Sequence, residues 1–484
     1  EVAPGLQQWG VMLPYTPLHE MLLQEIRRPI VLTSGNLAEE PIVHRDDEAL
    51  ERLNSIVRLY LVHDRDIATR CDDSIVRVWS GGSIVLRRSR GFVPAAIDVP
   101  VSASKRIFAC GAQLKNTFCL LGTTPDASAG DNTDSIHPFP RGAQAVLSQH
   151  IGDLESLEAQ SGYEEAVRHF FGLFDFKPEV IAHDLHPDFF STRFLGSFRD
   201  VPRIAVQHHH AHLASCLAEN CRQQPAIGVC WDGIGLGLDG SAWGAEFLVG
   251  DLKDFRRAGT FRPIPIPGGD VAAREPWRMG LAYLRDAFGN RWRNESKGFF
   301  ENFHSGEMNI VQQMLESDVN CPCGSSMGRL FDAMSFLCLG IHRTTYEGQA
   351  ALWLEQAAAQ AAPTQDALPF EVDVHDDLLI VEPSKAILDA VARIRARTSA
   401  SDVARIFHNG LCQVVVDVCL RLKSNGAPNC VALSGGCFQN RLLLDLCSAR
   451  LVQEGFEVLT HHSVPPNDGG IALGQAVIAA ARIG

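Results

Sequence analysis

The chain has 484 residues, a length that corresponds to about three domain-sized units. Its 43 Lys and Arg residues against 57 Asp and Glu residues give a net charge of −14, which excludes a large basic footprint for nucleic acid. Hydrophobic residues make up 46% of the chain, a share too high for a disordered protein. The sequence contains no run of about 18 apolar residues, the length needed for a membrane-spanning helix.

The start of the chain indicates a fragment. The first residue is Glu1 rather than Met, and no charged and then apolar leader follows it, so we expect neither a secretory signal nor a complete chain. The 14 cysteines are scattered, and a core of this size needs no disulfides. We therefore predict reduced thiols and a cytoplasmic location.

A boundary near residues 94–105 separates a short first block from a long second one. In the first block, a helical pattern at Pro17–Ile26 precedes strand-like runs at Pro29–Leu32, Ile56–Val62, Ser74–Trp79 and Ser83–Arg88. The first block has fewer than 100 residues and several short strands, which is small for a complete α/β domain. We therefore expect the first block to be part of a larger domain.

The second block repeatedly alternates β-rich runs with helical patterns, which predicts an α/β architecture. The β-rich runs are Ile107–Cys110, Val180–His183, Ile204–Val206, Ala226–Trp231, Cys430–Leu433 and Phe456–Leu459. Thr123–Gly142 is predicted to be a polar surface loop, and Gln356–Leu368 a linker.

The sequence VQHHHAHL at 206–213 carries the strongest local signal. His208 and His212 lie four residues apart at the start of a helical stretch, so both imidazoles project from one helix face, about 6 Å apart at Cβ. That spacing lets two nitrogens reach one metal ion at about 2.1 Å each. The alternative is a His-rich helix start that only caps and donates hydrogen bonds. Further metal ligands must come from elsewhere in the chain.

Two aspartates are candidates for those further ligands. Asp232 follows the apolar strand Ala226–Trp231 and opens a Gly-rich hairpin, and Asp468 stands directly before the helical run Ile471–Ala481. A turn or a helix cap is the commoner role for an Asp at such positions. The glycine pair after Asp468 favours a ligand site instead, because it removes side chains that would keep a phosphate from the helix N-terminus.

Three segments are candidates for nucleotide binding. SGGCFQN at 434–440 follows the strand Cys430–Leu433 and leads into a helical pattern, an arrangement typical of a phosphate or nucleoside cradle. Asp332 is either a ribose acceptor or a solvated helix carboxylate. Lys115, on a hairpin-like turn, is either a phosphate contact or a surface lysine. Each signal is weak by itself.

Other candidate groups have simpler alternatives. Cys321 and Cys323 have no second cysteine pair at zinc-site spacing, so we expect them to be incidental. Cys437 is a candidate nucleophile, but no neighbouring residue argues for a lowered thiol pKa. In the first block, an anion pocket is one interpretation and ordinary loops beside a solvated basic edge the other, for Ser34, Asn36, Asp72, Asp73, Ser74 and the basic run RRSRG at 87–91.

Longer strings in both blocks resemble one family. In the second block they include GAQLKNTFCL at 111–120, VQHHHAHLASCLAEN at 206–220, SSMGRLFDA at 325–333, LSGGCFQNRLLLD at 433–445 and PPNDGGIALGQA at 465–476. These strings resemble the Kae-like half of HypF, the carbamoyltransferase family of nickel–iron hydrogenase maturation. In the first block, PIVLTSGNLAEEPI, RCDDSIVR and LRRSRGFVP resemble the second half of the YrdC-like domain of that family.

The resemblance implies an α/β fold in two parts. Residues 1–98 would be the C-terminal part of a YrdC-like adenylation domain. Residues 105–484 would be a Kae-like carbamoyltransferase domain, with the two lobes of the actin and Hsp70 type of ATPase fold. Full-length family members also carry an acylphosphatase-like domain, zinc fingers and the first half of the YrdC-like domain, and we expect these to be missing here.

The resemblance also implies a function. The YrdC-like domain would make carbamoyl-adenylate from carbamoyl phosphate and ATP. The Kae-like domain would pass the carbamoyl group to the C-terminal Cys thiolate of HypE, toward the cyanide ligands of the hydrogenase iron. The implied cofactors are ATP with Mg²⁺ and a divalent iron or zinc ion.

The same resemblance assigns roles to residues of this sequence. His208, His212, Asp232 and Asp468 would be the metal ligands and the catalytic residues. The nucleotide-binding residues would be Lys115, Asp332, Gly348, Gly435, Gly436 and Asn440. The remaining part of the adenylation pocket would be Ser34, Asn36, Ser74, Arg88 and Arg90.

Three other functions remain open at this point. They are a small-molecule O-carbamoyltransferase of the same fold, a tRNA threonylcarbamoyl transferase, and an ATP-binding scaffold without transfer chemistry. The strings DDSIVR, RGFVP and GDLES favour hydrogenase maturation over the first two, and the net charge of −14 disfavours the tRNA role. The intact histidine pair and Asp468 disfavour the scaffold.

Overall fold

The computed structural model describes residue 3 and residues 5–37, 40–122, 144–300 and 305–484. The predicted loop Thr123–Gly142 lies outside these residues. The chain divides into two compact units, Glu1–Ala68 and Thr69–Gly484, which are described one after the other.

The smaller unit contains two short helices, α1 at Pro17–Ile26 and α2 at Asp46–Arg52. α1 begins where Thr16 Oγ1 accepts the backbone N–H of His19, and its predicted bounds are confirmed. The strands predicted at Pro29–Leu32 and Ile56–Val62 are wrong, because both runs are neither helix nor strand. An apolar run becomes a strand only beside a partner strand, and the described part of residues 1–68 offers these two runs none.

The larger unit begins with an antiparallel hairpin, β1 at Ile75–Trp79 and β2 at Gly82–Arg87. These strands confirm the two β-rich pieces predicted there. Ile84 on β2 is buried in the same hydrophobic cluster as the nine-stranded sheet described below. Residues 69–98 therefore belong to the same compact unit as residues 105–484, and the sequence-based domain assignment stays a prediction.

A six-stranded sheet forms the first half of the larger unit, with the strand order β3-β6-β5-β4-β7-β8. Its strands are β3 at Ile97–Asp98, β4 at Ile107–Ala109, β5 at Cys119–Leu121, β6 at Gln144–Leu147, β7 at Val180–Asp184 and β8 at Arg203–Val206. Its helices are α3 at Leu157–Leu173, α4 at Phe190–Arg193 and α5 at His208–Glu219. β4, β7 and β8 are parallel, so their carboxyl ends lie at one edge of the sheet.

A nine-stranded sheet forms the second half, and its main path runs β14-β15-β11-β10-β9-β16-β17. The strands are β9 at Ala226–Leu236, β10 at Ala242–Gly250, β11 at Phe255–Phe261, β12 at Ile264–Pro265, β13 at Cys323–Gly324, β14 at Glu371–His375, β15 at Leu378–Glu382, β16 at Cys430–Ser434 and β17 at Glu457–Leu459. The short pair β12 and β13 joins this sheet through β10. The α/β class predicted from the alternating pattern is confirmed.

Ten helices of the described chain flank or follow the nine-stranded sheet. They are α6 at Val271–Arg274, α7 at Pro276–Phe288, α8 at Trp292–Glu295, α9 at Ser305–Ser317, α10 at Met327–Leu339, α11 at Gln349–Gln360, α12 at Ser384–Arg395, α13 at Ala400–Ser424, α14 at Arg441–Gln453 and α15 at Ile471–Ile483. The linker predicted at Gln356–Leu368 is wrong for its first five residues. Its alanines continue α11, because Ala is the strongest helix former and this face of the helix is buried.

α13 is the central helix of this half. Among the described residues it is the helix with the length and apolarity of a membrane span, but 72% of that stretch is buried inside the unit. It packs against α11 and α14 rather than presenting an apolar surface.

α5 and α15 lie together between the two sheets. Their side chains share one hydrophobic cluster with strands of both sheets. The two helices approach closely at Gly474, where an added Cβ would stand 1.9 Å from the carbonyl oxygen of Ala211. This close packing brings the start of α15 beside the start of α5, where the candidate metal ligands lie.

Candidate functional site

The two histidines predicted as metal ligands lie on the first turns of α5. The helix begins at His208, directly after β8, and Gln207 caps it by accepting the backbone N–H of His210 at 2.8 Å. His208 and His212 are both 1% exposed, and their ring centroids are 5.1 Å apart. The predicted spacing therefore places both imidazoles in the same buried space.

The two aspartates reach this space from distant parts of the chain. Asp232 lies within β9, which continues to Leu236, so the strand extends past the point where the sequence predicts a hairpin. Asp468 begins a single 3₁₀ turn directly before α15, as predicted.

The four side chains surround one point. His208 Nε2 lies 3.4 Å from Asp232 Oδ2 and 3.6 Å from Asp468 Oδ1. His212 Nε2 lies 3.3 Å and 3.7 Å from the same two oxygens. One ligand atom from each of the four residues lies within 4.8 Å of all the others.

These distances fit a divalent metal ion. Ligands about 2.1 Å from a tetrahedral ion are separated by about 3.4 Å, close to the four nitrogen–oxygen distances. His208 Nε2 is also buried without a hydrogen-bond partner among the described residues, which is unfavourable unless another group binds it. Two imidazoles with two carboxylates form a donor set suited to zinc or iron. Metal binding itself stays a prediction.

Asp184 supports this cluster and was missed by the sequence analysis. It ends β7, and its Oδ2 accepts the Nδ1–H of His208 at 2.8 Å, while its Oδ1 accepts the backbone N–H of His186 at 3.0 Å. A carboxylate on Nδ1 fixes the histidine tautomer and directs Nε2 toward the cluster. The available signal was an Asp at the carboxyl end of a parallel strand, which by itself is common.

The electrostatics of the cluster are those of a site built for positive charge. Burial alone would raise the pKa of Asp232, but the adjacent imidazoles of His208 and His212 outweigh it and hold that pKa well below its usual range. Burial, and then the charge of Asp232, raise the pKa of Asp468. A bound cation would stabilise the ionised form of both carboxylates.

A buried polar chain supports α5 from the opposite side. Ser434 Oγ donates to the backbone carbonyl of His212 at 2.9 Å and lies 2.8 Å from His461 Nε2. His461 Nδ1 in turn lies 2.5 Å from Glu219 Oε1. Sequence spacing could not predict these contacts, because each joins residues that are more than 200 positions apart, except the Ser434–His461 contact. These hydrogen-bonded side chains fix the second turn of α5 against the end of β16.

The predicted nucleotide turn adjoins the cluster. Gly435 has φ 99°, and an added Cβ would stand 2.2 Å from the carbonyl oxygen of Trp231, so the position requires glycine. Gly436 donates its backbone N–H to Asp232 Oδ1 at 3.1 Å. The glycine turn and a candidate metal ligand are therefore in direct contact.

Other predicted nucleotide residues lie in the same half of the unit. Asn440 caps α14 through the backbone N–H of Leu443, and its Nδ2 donates to His408 Nε2 at 2.9 Å. Asp332 on α10 pairs with Arg329 at 2.7 Å, and burial raises its pKa to about 6. Gly348 precedes α11 with φ 74°. Both polar atoms of the Asn440 side chain and Oδ2 of Asp332 thus already have protein partners.

Lys115 joins the two halves of the larger unit. It lies on the turn between β4 and β5, and its backbone N–H donates to Asp153 at 2.7 Å. Its ammonium group forms an ion pair with Glu347, just before α11. Burial lowers its pKa, but Glu347 and then Asp468 outweigh this effect and raise it.

The residues predicted for the adenylation pocket divide between the two units. In the smaller unit, Asn36 Nδ2 donates to the carbonyl groups of Leu37 and Glu40, and Ser34 donates to Asn36. The other three lie in the larger unit: Ser74, Arg88 and Arg90. The adenylation pocket stays a prediction.

Those three residues make local contacts. Ser74 Oγ donates to the carbonyl of Arg90, and Arg90 donates to the carbonyl of Cys71. The guanidinium group of Arg88 is buried and donates to the carbonyl of Ala95 at 2.9 Å. Burial lowers its pKa to about 10.

The cysteine hypotheses receive no support. Burial raises the pKa of Cys437 well above its usual value, and the neighbouring charge of Asp232 acts in the same direction. A thiol in that environment is a poor nucleophile. Burial also raises the pKa of Cys321 and of Cys323.

Models of three known domain families match the chain. The carbamoyltransferase Kae1-like domain, second subdomain, matches residues 228–475, and the HypF Kae1-like domain matches residues 102–219. A third model, described as telomere recombination, matches residues 1–89.

Curated relatives agree with these matches. Carbamoyltransferase HypF of Rhodobacter capsulatus is 40% identical over 493 aligned positions, which cover 100% of this chain and 61% of the relative. A carbamoyltransferase HypF homolog of Cupriavidus necator is 37% identical over 384 positions, covering 77% of this chain and 91% of the relative. The chain spans about three fifths of the length of most of the curated relatives it matches.

Two solved structures have the same fold. Full-length HypF in the phosphate- and nucleotide-bound form superposes with a TM-score of 0.90 at 38% identity, over 99% of this chain and 60% of that one. HypF of T. kodakarensis gives a TM-score of 0.87 at 30% identity, over 99% and 61%. The YrdC-like and two-lobed Kae-like folds expected from the sequence are thereby confirmed.

Proposed function

This chain belongs to the HypF family of carbamoyltransferases, and from that membership we propose that it acts in nickel–iron hydrogenase maturation. The proposed reaction makes carbamoyl-adenylate from carbamoyl phosphate and ATP with Mg²⁺. It then transfers the carbamoyl group to the C-terminal Cys thiolate of HypE, toward the cyanide ligands of the hydrogenase iron. The proposed location is the cytoplasm, where all 14 cysteines could remain the free thiols that they are here.

One observation carries the proposal. The buried cluster of two histidines and two aspartates directly contacts a glycine turn of the kind that accepts phosphate, through the Gly436 N–H and Asp232. A reaction that needs both a metal and a nucleotide phosphate would require this adjacency. His208, His212, Asp232 and Asp468 would hold the iron or zinc ion, which would supply Lewis acidity toward the phosphate oxygens of the nucleotide.

The residues of the chain would position the reactants. Asp184 keeps the proton of His208 on Nδ1, so that Nε2 is available as a ligand. The absence of a Cβ at Gly435 and Gly436 lets this turn pack directly against Trp231 and Asp232, which keeps its backbone beside the cluster. Lys115 would exchange its ion pair with Glu347 for one with a phosphate oxygen.

In the transfer step, no residue of the chain becomes a covalent nucleophile. The thiolate sulfur of the partner peptide attacks the carbamoyl carbon, forming a carbon–sulfur bond. The bond between that carbon and the phosphate oxygen of AMP breaks, and AMP leaves with the electron pair. The raised pKa of Cys437 supports this assignment, because that thiol would be protonated at neutral pH.

The test uses mass spectrometry of a synthetic peptide that ends in Cys. The peptide is incubated with the full-length protein, ATP, Mg²⁺, carbamoyl phosphate and either Fe²⁺ or Zn²⁺. We expect the mass of one carbamoyl group on the terminal Cys, and none on a matched peptide that ends in Ser.

The double variant His208→Ala/His212→Ala should lose both bound metal and carbamoyl transfer. Full metal occupancy in that variant would refute the ligand assignment, and carbamoylation of a small hydroxyl compound instead of the peptide would support an O-carbamoyltransferase.

A further inference from the structure

The β1–β2 hairpin contacts the candidate active site from outside the matched Kae-like regions. The hairpin lies within residues 1–89, which match one domain family, whereas the candidate nucleotide and metal turns lie within residues 228–475, which match another. Within the larger unit, these two parts of the chain are joined by hydrogen bonds and not only by apolar packing.

Arg77 on β1 makes the central contact. Its Nη1 and Nη2 donate to the two carboxylate oxygens of Glu355 on α11, at 3.1 Å and 2.7 Å. Nη1 also donates to the backbone carbonyl of Gln439 at 2.9 Å. The side chains of Arg77 and Glu355 are 13% and 5% exposed, so this bidentate pair is largely withdrawn from water.

Glu355 and Gln439 extend the contact to the nucleotide turn. Glu355 Oε1 accepts the backbone N–H of Arg441, the first residue of α14. Gln439 Nε2 donates to the carbonyl of Gly436 at 3.1 Å, within the turn that contacts Asp232. Movement of Arg77 would therefore displace both ends of the segment from Gly436 to Arg441.

Asn467 extends the same network to the metal turn. Its Nδ2 donates to Gln439 Oε1 at 2.8 Å and to the carbonyl of Leu86 on β2 at 3.1 Å. Its Oδ1 accepts the backbone N–H of Gly469, so the side chain holds the turn that carries Asp468. The hairpin thus reaches the nucleotide turn through Arg77 and the metal turn through Leu86.

We propose that Arg77 is a positioning residue for the nucleotide, and that the hairpin fixes the positions of the nucleotide turn and the metal turn relative to each other. A buried ion pair contributes little net stability compared with apolar packing, so its effect lies in fixing geometry. Arg77 touches no substrate and acts through Glu355 and Gln439. The inference rests on the proposed function, because it assumes that the Gly436–Arg441 segment binds nucleotide.

The test compares ATP binding by Arg77→Ala and by the unaltered protein, using calorimetric titration of ATP with Mg²⁺. We expect the Kd of ATP to rise roughly tenfold, within the usual range of coupling between sites. In the transfer assay, the KM for ATP should rise more than kcat falls. Arg77→Lys, which keeps the charge but loses the bidentate geometry, should recover part of the affinity.

Two further variants separate positioning from folding. Glu355→Gln keeps the side-chain volume and an oxygen for the Arg441 N–H, so it should fold and still weaken ATP binding. Arg293→Ala removes an arginine from an exposed ion pair with Glu316 and should leave the Kd unchanged. Melting temperatures measured alongside would identify a loss of affinity that only reflects unfolding.

The outcomes distinguish the inference from the proposed function. If the unaltered protein binds no ATP, both fail. If it binds ATP, and folded Arg77→Ala and Glu355→Gln bind it with the same Kd, the inference alone is overturned. A lower melting temperature with unchanged Kd would likewise assign Arg77 to stability only.

Discussion

Replacing Asp184 by Asn tests whether the candidate metal site depends on its supporting carboxylate. Asp184 and His208 are both almost completely buried, and each oxygen of Asp184 accepts one N–H, from the His208 ring and from the His186 backbone. Asn has the same shape but only one oxygen. One of the two N–H groups would therefore face the Asn NH₂ group and lose its acceptor.

The expected loss follows from that unpaired group. A buried donor without an acceptor costs about 1–3 kcal/mol. If the cost falls on the metal-bound state of His208, it corresponds to a metal Kd that is roughly 10- to 100-fold higher, since each 1.4 kcal/mol is about a factor of ten. The same range is typical when a carboxylate behind a metal-bound histidine is removed.

The measurement is metal affinity, obtained by competition between the protein and a chelator of known strength for Zn²⁺ or Fe²⁺. Asp188→Asn is the matched control, because it makes the same change four residues later at an exposed position and should leave the affinity unchanged. A folded Asp184→Asn protein that binds metal as tightly as the unaltered protein would refute the role given to Asp184.

Three further predictions concern stability. Gly474→Ala would place a Cβ 1.9 Å from the carbonyl oxygen of Ala211, so we expect destabilisation of about 1–3 kcal/mol or more in urea unfolding. Burial lowers the pKa of His408 to about 4, below its ordinary 6.5, so stability should be lost as the pH falls from 6.5 toward 4, by up to about 1.4 kcal/mol per pH unit. His408→Gln should reduce that pH dependence, and an equal slope in both proteins would contradict the assignment. Chelation should lower the melting temperature of a metal-loaded sample, and added metal should restore that temperature. If the free metal stood at 100 times its Kd, the stabilisation lost would be about 2.7 kcal/mol.

Sequence patterns predicted those parts of the site that lie within single elements. The four-residue spacing of His208 and His212 is a property of one helix, and the glycine pair at 435–436 is a property of one turn. Strand and helix positions in the second block followed from hydrophobic periodicity for the same reason. Asp232 and Asp468 were candidate ligands from their positions at a strand end and before a helix, where a turn or cap is the commoner role, and the family resemblance favoured the ligand role.

The parts that were missed depend on contacts between distant elements. Asp184 is one of many aspartates at strand ends, and only the packing of α5 against β7 gives it a histidine partner. The runs Pro29–Leu32 and Ile56–Val62 have strand-like composition, but strand formation also needs a neighbouring backbone. The β1–β2 hairpin was assigned to the first block by its sequence, and its packing against the rest of the larger unit could not be predicted from its own residues.

The position of Asp468 in the chain has a consequence for biogenesis. Asp468 follows His208 by 260 residues, and it reaches the histidines because α15 docks onto α5. During synthesis, the imidazoles and Asp232 would be made long before the fourth ligand, so an ion captured early would be held by an incomplete set. If the proposed metal ion binds here, its loading would be a late event in maturation of this polypeptide, and an increase in amide-hydrogen protection of α15 on addition of metal would report it.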